Sequence, residues 1–132
     1  MGDTIIVDTD ILVNLLRKEL KTIEWFESHK ENFSLATTVI NIFELYIGVY
    51  KSSEANKKVK DIEDIIERFK VIEFDIISAK EAGKIRAELE KQGQVIDMRD
   101  IFIGSIAINE NIPIKTNNIK HFSRIQGLKI SD

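Results

Sequence analysis

Apolar residues in this chain fall into short β-branched runs separated by stretches with helical spacing. Ile5-Ile-Val7 has the character of a buried strand. After it, Ile11, Leu12, Leu15 and Leu16 share one face of a helix that Thr9 or Asp10 starts and that runs to about Arg17. Residues 22–29, with Trp25 and Phe26, form a second helix. Residues 33–36 are an extended approach to an apolar helix that begins at Thr37 or Thr38. Ser52 or Ser53 caps the next helix, in which Val59, Ile62, Ile65, Ile66 and Phe69 recur at intervals that bury one face. Residues 71–74 are the second strand, and Ser78-Ala-Lys-Glu81 has the spacing of a capping box. The helix it opens ends near Gln92, is stopped by Gly93, and turns Ala82, Ile85 and Leu89 inward. Asp97 caps a helix from Met98 to about Asn109; residues 112–116 are a strand, 118–122 a turn or single helical turn, and 128–130 a last strand. Short strands alternating with helices predict a parallel sheet covered on both faces, an α/β fold.

Against this pattern three acids stand out. Glu44 is the one charged residue between Asn32 and Tyr50. Asp8 ends the run Ile5-Ile-Val7, and Asp100 opens Ile101-Phe-Ile-Gly-Ser-Ile-Ala-Ile108. A carboxylate attached to a core-forming segment is costly to desolvate unless its charge is offset. No Lys or Arg lies within a helical turn of Glu44. Ligand sites of parallel sheets lie beyond the carboxyl ends of the strands, where Asp8, Asn117 and Asn118 would sit. If Glu44 and Asp100 converge on that edge, the acids form an oxygen cluster suited to a divalent cation. Each also has a plainer role: Asp8 and Asp97 as helix caps, Asp100 as a charge suited to a helix N-terminus, Glu44 as a surface group at an interface.

Composition narrows the chemistry. The 132 residues, 43% hydrophobic and 31% charged, suit one globular domain over residues 1–132. No apolar stretch reaches the roughly 18 residues of a membrane span. The opening Met1-Gly-Asp-Thr4 lacks the basic region of a signal peptide, so a cytoplasmic location without membrane association is expected. Cysteine is absent and histidine is limited to His29 and His121, which disfavours zinc and leaves a hard cation, Mg²⁺ or Mn²⁺. The net charge of −3 argues against indiscriminate nucleic-acid binding but allows a local basic rim. Arg99, Lys115, Lys120, His121 and Arg124 are the candidate phosphate contacts on such a rim.

Four motifs together carry a family resemblance: Ile6-Val-Asp-Thr-Asp-Ile-Leu-Val13, Thr38 with Phe43-Glu-Leu-Tyr-Ile-Gly48, Gly93 through Asp100 to Ala107, and Thr116-Asn-Asn118 with His121-Phe122. In order and spacing the chain resembles PIN-domain ribonucleases of the VapC toxin type over nearly its whole length. That resemblance implies a three-layer α/β/α sandwich and Mg²⁺- or Mn²⁺-dependent hydrolysis of RNA, leaving a 5′-phosphate and a 3′-hydroxyl. It makes Asp8, Glu44 and Asp100 metal ligands. The position of a fourth acid falls on Asn118, with Asp97 able to compensate and Thr9 and Thr38 as lining hydroxyls. Glu44 or Asp97 would assist as base, and Asp10 would cap the helix or add to the acidic pocket. A small VapB-type antitoxin that inserts a basic side chain among the carboxylates, and a homodimer formed through the early helices, are the implied partners. Arg86 would pair with a site carboxylate or a partner's acid. Two alternatives stand beside this reading. One is a catalytically silent RNA- or protein-binding module. The other is a haloacid-dehalogenase-like phosphatase, suggested by Asp8-Thr-Asp10 but lacking the Thr or Val that such enzymes carry where Leu12 stands.

Overall fold

The computed structural model describes residues 3–132. Met1 and Gly2, part of the reading of the N-terminus, lie outside the described residues. Among the described residues eleven elements follow one another: β1 (Thr4–Val7), α1 (Thr9–Leu16), α2 (Leu20–His29), β2 (Ser34–Thr38), α3 (Val39–Tyr50), α4 (Ala55–Arg68), β3 (Lys70–Ile72), α5 (Ile76–Lys91), α6 (Met98–Glu110), β4 (Ile114–Lys115) and α7 (Ile119–Phe122). The four strands form a parallel sheet in the order β3-β2-β1-β4.

The sheet has two covered faces because side chains alternate along each strand. Ile6, Ala36, Ile72 and Ile114 pack with Ala82, Ile85 and Leu89 of α5, and with Ile103, Ile106 and Ala107 of α6. Val7, with Leu35 partly buried beside it, packs on the other face against Leu12 of α1, Phe26 of α2, Leu45 and Val49 of α3, and Ile62 and Ile65 of α4. The result is the three-layer sandwich. Gly104 lets α6 approach the C-terminal segment closely: a Cβ there would stand 2.7 Å from Ile125 Cδ1. Among the described residues no helix is long and apolar enough to cross a membrane.

Several boundaries differ from the sequence pattern, each for a local reason. The expected approach at residues 33–36 is a full strand, β2, paired on both sides, and Thr38 both ends it and caps α3. The cap of α5 is Asp75, which accepts the Ser78 N–H at 2.8 Å, so the helix starts ahead of the Ser78 box. Ser52 accepts the Glu54 N–H but α4 begins at Ala55 with Glu54 as its cap residue. Strand β3 starts at Lys70, and β4 is limited to two residues. The expected strand at 128–130 is reduced to one parallel bridge between Ile130 and Ile114. Ile66 is exposed, one position off the buried stripe of α4.

Candidate functional site

The sheet order places β1 and β4 side by side while β1 leads to β2 on its other flank, so a crevice opens at their carboxyl ends. An open groove of about 590 Å³ lies there, lined by Asp8, Thr9, Asp10, Glu44, Asp97, Arg99, Asp100, Asn117, Asn118 and His121. Residues from α1, α3, α6 and the segment after β4 thus share one surface.

Asp8 is its fixed point. It ends β1, caps α1 and is 5% exposed. Its Oδ1 accepts the Thr9 N–H at 2.8 Å and Asn41 Nδ2 at 2.9 Å, while Oδ2 accepts the Thr116 hydroxyl at 2.7 Å. Burial pushes its carboxyl above the usual range, against the pull of these donors. Asn41, wholly buried, ties the neighbourhood together. Its Oδ1 accepts the Thr38 N–H and hydroxyl, and its Nδ2 also donates to Thr9 Oγ1. The Thr9 hydroxyl in turn donates to Glu44 Oε1 at 2.7 Å. A continuous chain of bonds therefore runs from Asp8 through Asn41 and Thr9 to Glu44.

Glu44 has the counter-charge that its own helix lacks: Arg99 Nη1 stands 3.7 Å from Glu44 Oε2. Burial still raises the Glu44 carboxyl, with the Asp8 charge adding to it. Arg99 is held by Asp97, which accepts its Nε at 3.1 Å and Nη2 at 3.0 Å. Asp97 is the cap of α6, accepting the Arg99 N–H, and Arg99 keeps its carboxyl below the usual range. Asp100, in the first turn of α6, is raised by burial and then by Asp8. Its Oδ2 accepts Asn118 Nδ2 at 3.2 Å and lies 3.5 Å from His121 Nδ1. Asp10 accepts the Asn117 N–H at 3.0 Å through Oδ2, and burial with the Asp8 charge pushes its carboxyl up to about 6.

Of the sequence candidates, Asp8, Glu44, Asp100, Asp97, Asn118, Thr9, Arg99 and His121 come together on this groove. Thr38 does not line it; buried at the cap of α3, it acts through Asn41. Lys115, Lys120 and Arg124 do not line it either. Lys115 Nζ donates to the Asp132 carbonyl and sits 5.4 Å over the Trp25 ring. Arg124 Nη1 donates to the Val95 carbonyl, and Lys120 is exposed on α7. Arg86 pairs with Glu90 along its own helix rather than with a site acid. Sequence reasoning missed Asn41 and the role of Thr116. A polar residue three positions before Glu44, inside the same apolar run and three after Thr38, was the available signal for Asn41.

The donor set consists of carboxylate, hydroxyl and amide oxygens, the ligands of a hard divalent cation. Asp10 Oδ1 is closed to water and has no hydrogen-bond partner among the described residues, an orphaned oxygen that a hard cation would satisfy. Among the described residues, no three acidic or histidine side chains stand close enough to hold a metal ion as they are. Glu44 instead bonds Thr9 and faces Arg99, and Asp100 bonds Asn118. The residues fit a divalent cation in the chemistry of their donors.

These shifts have a measurable sign. A carboxyl raised on folding favours the protonated native state, and that stabilisation is lost as pH climbs through the folded value. Asp8, Asp10, Glu44 and Asp100 all act in this direction, Asp10 between its ordinary value near 3.8 and about 6. Asp75 and Asp97 act oppositely, losing stabilisation as pH falls through their depressed values, but both are exposed and screened. In EDTA the protein is therefore expected to be less stable at pH 7 than at pH 5, by on the order of 1 kcal/mol in urea denaturation. A flat or rising profile contradicts the shared charge burden.

Comparison with known proteins agrees with this geometry. The PIN domain matches residues 5–128. Ribonuclease VapC2 of Haemophilus influenzae is 30% identical over 124 residues, 93% of this chain and 92% of that protein. The tRNA(fMet)-specific endonuclease VapC of Salmonella typhimurium is 32% identical over 111 residues, covering 80% and 84% respectively. In three dimensions the chain superposes on VapBC2 from Rickettsia felis, solved bound to a promoter DNA fragment, with a TM-score of 0.90, 30% identity and 97% of both chains covered. The phosphatase alternative finds no support in these matches. Sheet order, groove and the match across residues 5–128 lead to one assignment: the chain belongs to the PIN domain family, alongside the VapC proteins.

Proposed function

We propose that this chain is a divalent-metal-dependent endoribonuclease, acting as one domain and as the toxin of a VapBC-type pair. The observation that carries the reading is the gathering of Asp8, Glu44 and Asp100, from three separate helix starts and faces, on one groove beyond the β1 and β4 ends. Asp8, Asp100 and Glu44 are the proposed ligands of Mg²⁺ or Mn²⁺. Such a cation, when bound, offsets charge on the phosphoryl oxygens and lowers the pKa of a water.

The chain's own residues supply the rest. Asp8 is oriented by Thr9, Asn41 and Thr116, which fix its carboxylate before substrate arrives. Glu44, on the groove wall and bonded to the Thr9 hydroxyl, is the proposed proton acceptor, whereas Asp97 is committed to the Arg99 guanidinium and serves to position it. Arg99 and His121, both partly exposed on the groove, meet the phosphate. Water attacks phosphorus as its proton passes to Glu44, the bond from phosphorus to the 3′ oxygen breaks, and that oxygen takes up a proton from solvent, leaving a 5′-phosphate and a 3′-hydroxyl.

The VapBC complexes support a small VapB-type antitoxin as partner, and exposed Leu16, Leu20 and Tyr50 offer apolar surface for it or for a second copy. Purified protein is expected to cleave RNA in Mg²⁺ or Mn²⁺ and to lose all cleavage in excess EDTA, recovering it on metal addition. Cleavage unaffected by EDTA, or RNA binding without turnover in Mn²⁺, overturns the proposal.

A further inference from the structure

Asp10 is a groove residue that the reaction outlined above does not use. It sits in the first turn of α1, beside Asp8, and lines the groove with Asn117 and Asn118. One oxygen, Oδ2, accepts the Asn117 N–H at 3.0 Å and ties α1 to the segment after β4. The other, Oδ1, is closed to water and has no partner among the described residues. An asparagine would hold the Asn117 N–H equally well through its amide oxygen, without burying a charge next to Asp8. Anchoring the loop therefore explains one oxygen of Asp10 and leaves its charge and its second oxygen unexplained. Buried carboxylate oxygens without donors are rare because they forfeit their hydration.

The β4 side of the groove has a matching deficit. Asn118 is neutral, and its Nδ2 goes to Asp100 Oδ2 and contacts His121 Nδ1 at 3.0 Å. Asp97, the other acid near the start of α6, is committed to the Arg99 guanidinium by two side-chain bonds. Three carboxylates bond to the segment after β4, Asp8 through Thr116, Asp100 through Asn118 and Asp10 through Asn117, and of these Asp10 is the one the reaction outlined above leaves unused.

Resting on the metal-centre reading, we infer that Asp10 is the fourth acid of the centre and supplies to the divalent cation the negative charge that Asn118 lacks. The inference predicts an exchange: charge removed at position 10 is restored by charge added at position 118. It is tested by Mn²⁺ titration calorimetry on the full chain, with thermal unfolding in EDTA alongside. Asp10→Asn is expected to weaken Mn²⁺ binding at least tenfold and to leave the unfolding midpoint in EDTA equal to or above that of the parent. Adding Asn118→Asp to it is expected to recover most of the affinity. Mn²⁺ affinity within twofold of the parent in Asp10→Asn overturns the inference. So does a lower midpoint in EDTA, which marks a purely structural role, or a loss of affinity that Asn118→Asp does not repair. Failure of the parent protein to bind Mn²⁺ at all is a different result and overturns the metal-centre reading itself.

Discussion

Asp8→Asn and Asp100→Asn are each expected to lower RNA cleavage at least ~10²-fold, the equivalent of roughly 3 kcal/mol or more in the transition state. The fold should survive both. In Asp8→Asn the amide oxygen still accepts from Thr9 and Asn41, and the amide nitrogen can donate to Thr116 Oγ1. Because burial already favours the uncharged form of Asp8, the neutral side chain is expected to leave metal-free stability unchanged or higher. Loss of activity with retained or increased stability separates a ligand from a structural cap, for which asparagine is a good replacement. Initial cleavage rates in Mg²⁺ and urea denaturation in EDTA check the two halves. Full activity in either variant contradicts the assignment.

The second large effect is expected at a residue that carries no charge. Asn41→Ala removes the acceptor of the Thr38 N–H and hydroxyl and a donor to both Asp8 and Thr9. The site is wholly buried, so water cannot replace these bonds. Leaving buried polar groups unpaired costs about 1–3 kcal/mol each, and the network as a whole is expected to lose about 2–4 kcal/mol in urea denaturation. Asp8 and Glu44 both lose orientation, so cleavage should fall a further ~10- to 100-fold under conditions where the variant is folded. A variant within about 1 kcal/mol of the parent and fully active would show that Asn41 only fills space.

What could be read from the chain, and what could not, follows from where the information sits. Asp8, Glu44 and Asp100 were visible because a charge inside an apolar run is costly in itself, wherever the chain goes next. Their convergence required the strand order, and Arg99, the cation facing Glu44, comes from a distant helix that no local window around Glu44 contains. Asn41 escaped notice because an amide is less conspicuous than a charge, although its spacing from Thr38 and Glu44 marked it. Lys115 was placed on the site edge from its position at a strand end. The alternation of a strand instead turns it away from Ile114, toward Trp25. Strand β2 looked like an approach because Thr37 and Thr38 resemble a helix start, and Thr38 is in fact both the strand's end and the helix's cap. The core was more legible than these boundaries. The inward stripe of α5, Ala82, Ile85 and Leu89, is buried as its spacing requires, whereas the start of that helix moved to Asp75.

The most direct measurement is anomalous diffraction from crystals of this protein grown or soaked in Mn²⁺. A peak in the groove with oxygens of Asp8 and Asp100, and of Glu44 directly or through one water, at roughly 2.0–2.5 Å is expected. A groove that stays without a peak at saturating Mn²⁺, or a cation held elsewhere while these three carboxylates keep their hydrogen bonds to Thr9, Thr116 and Asn118, contradicts the shared-ion claim.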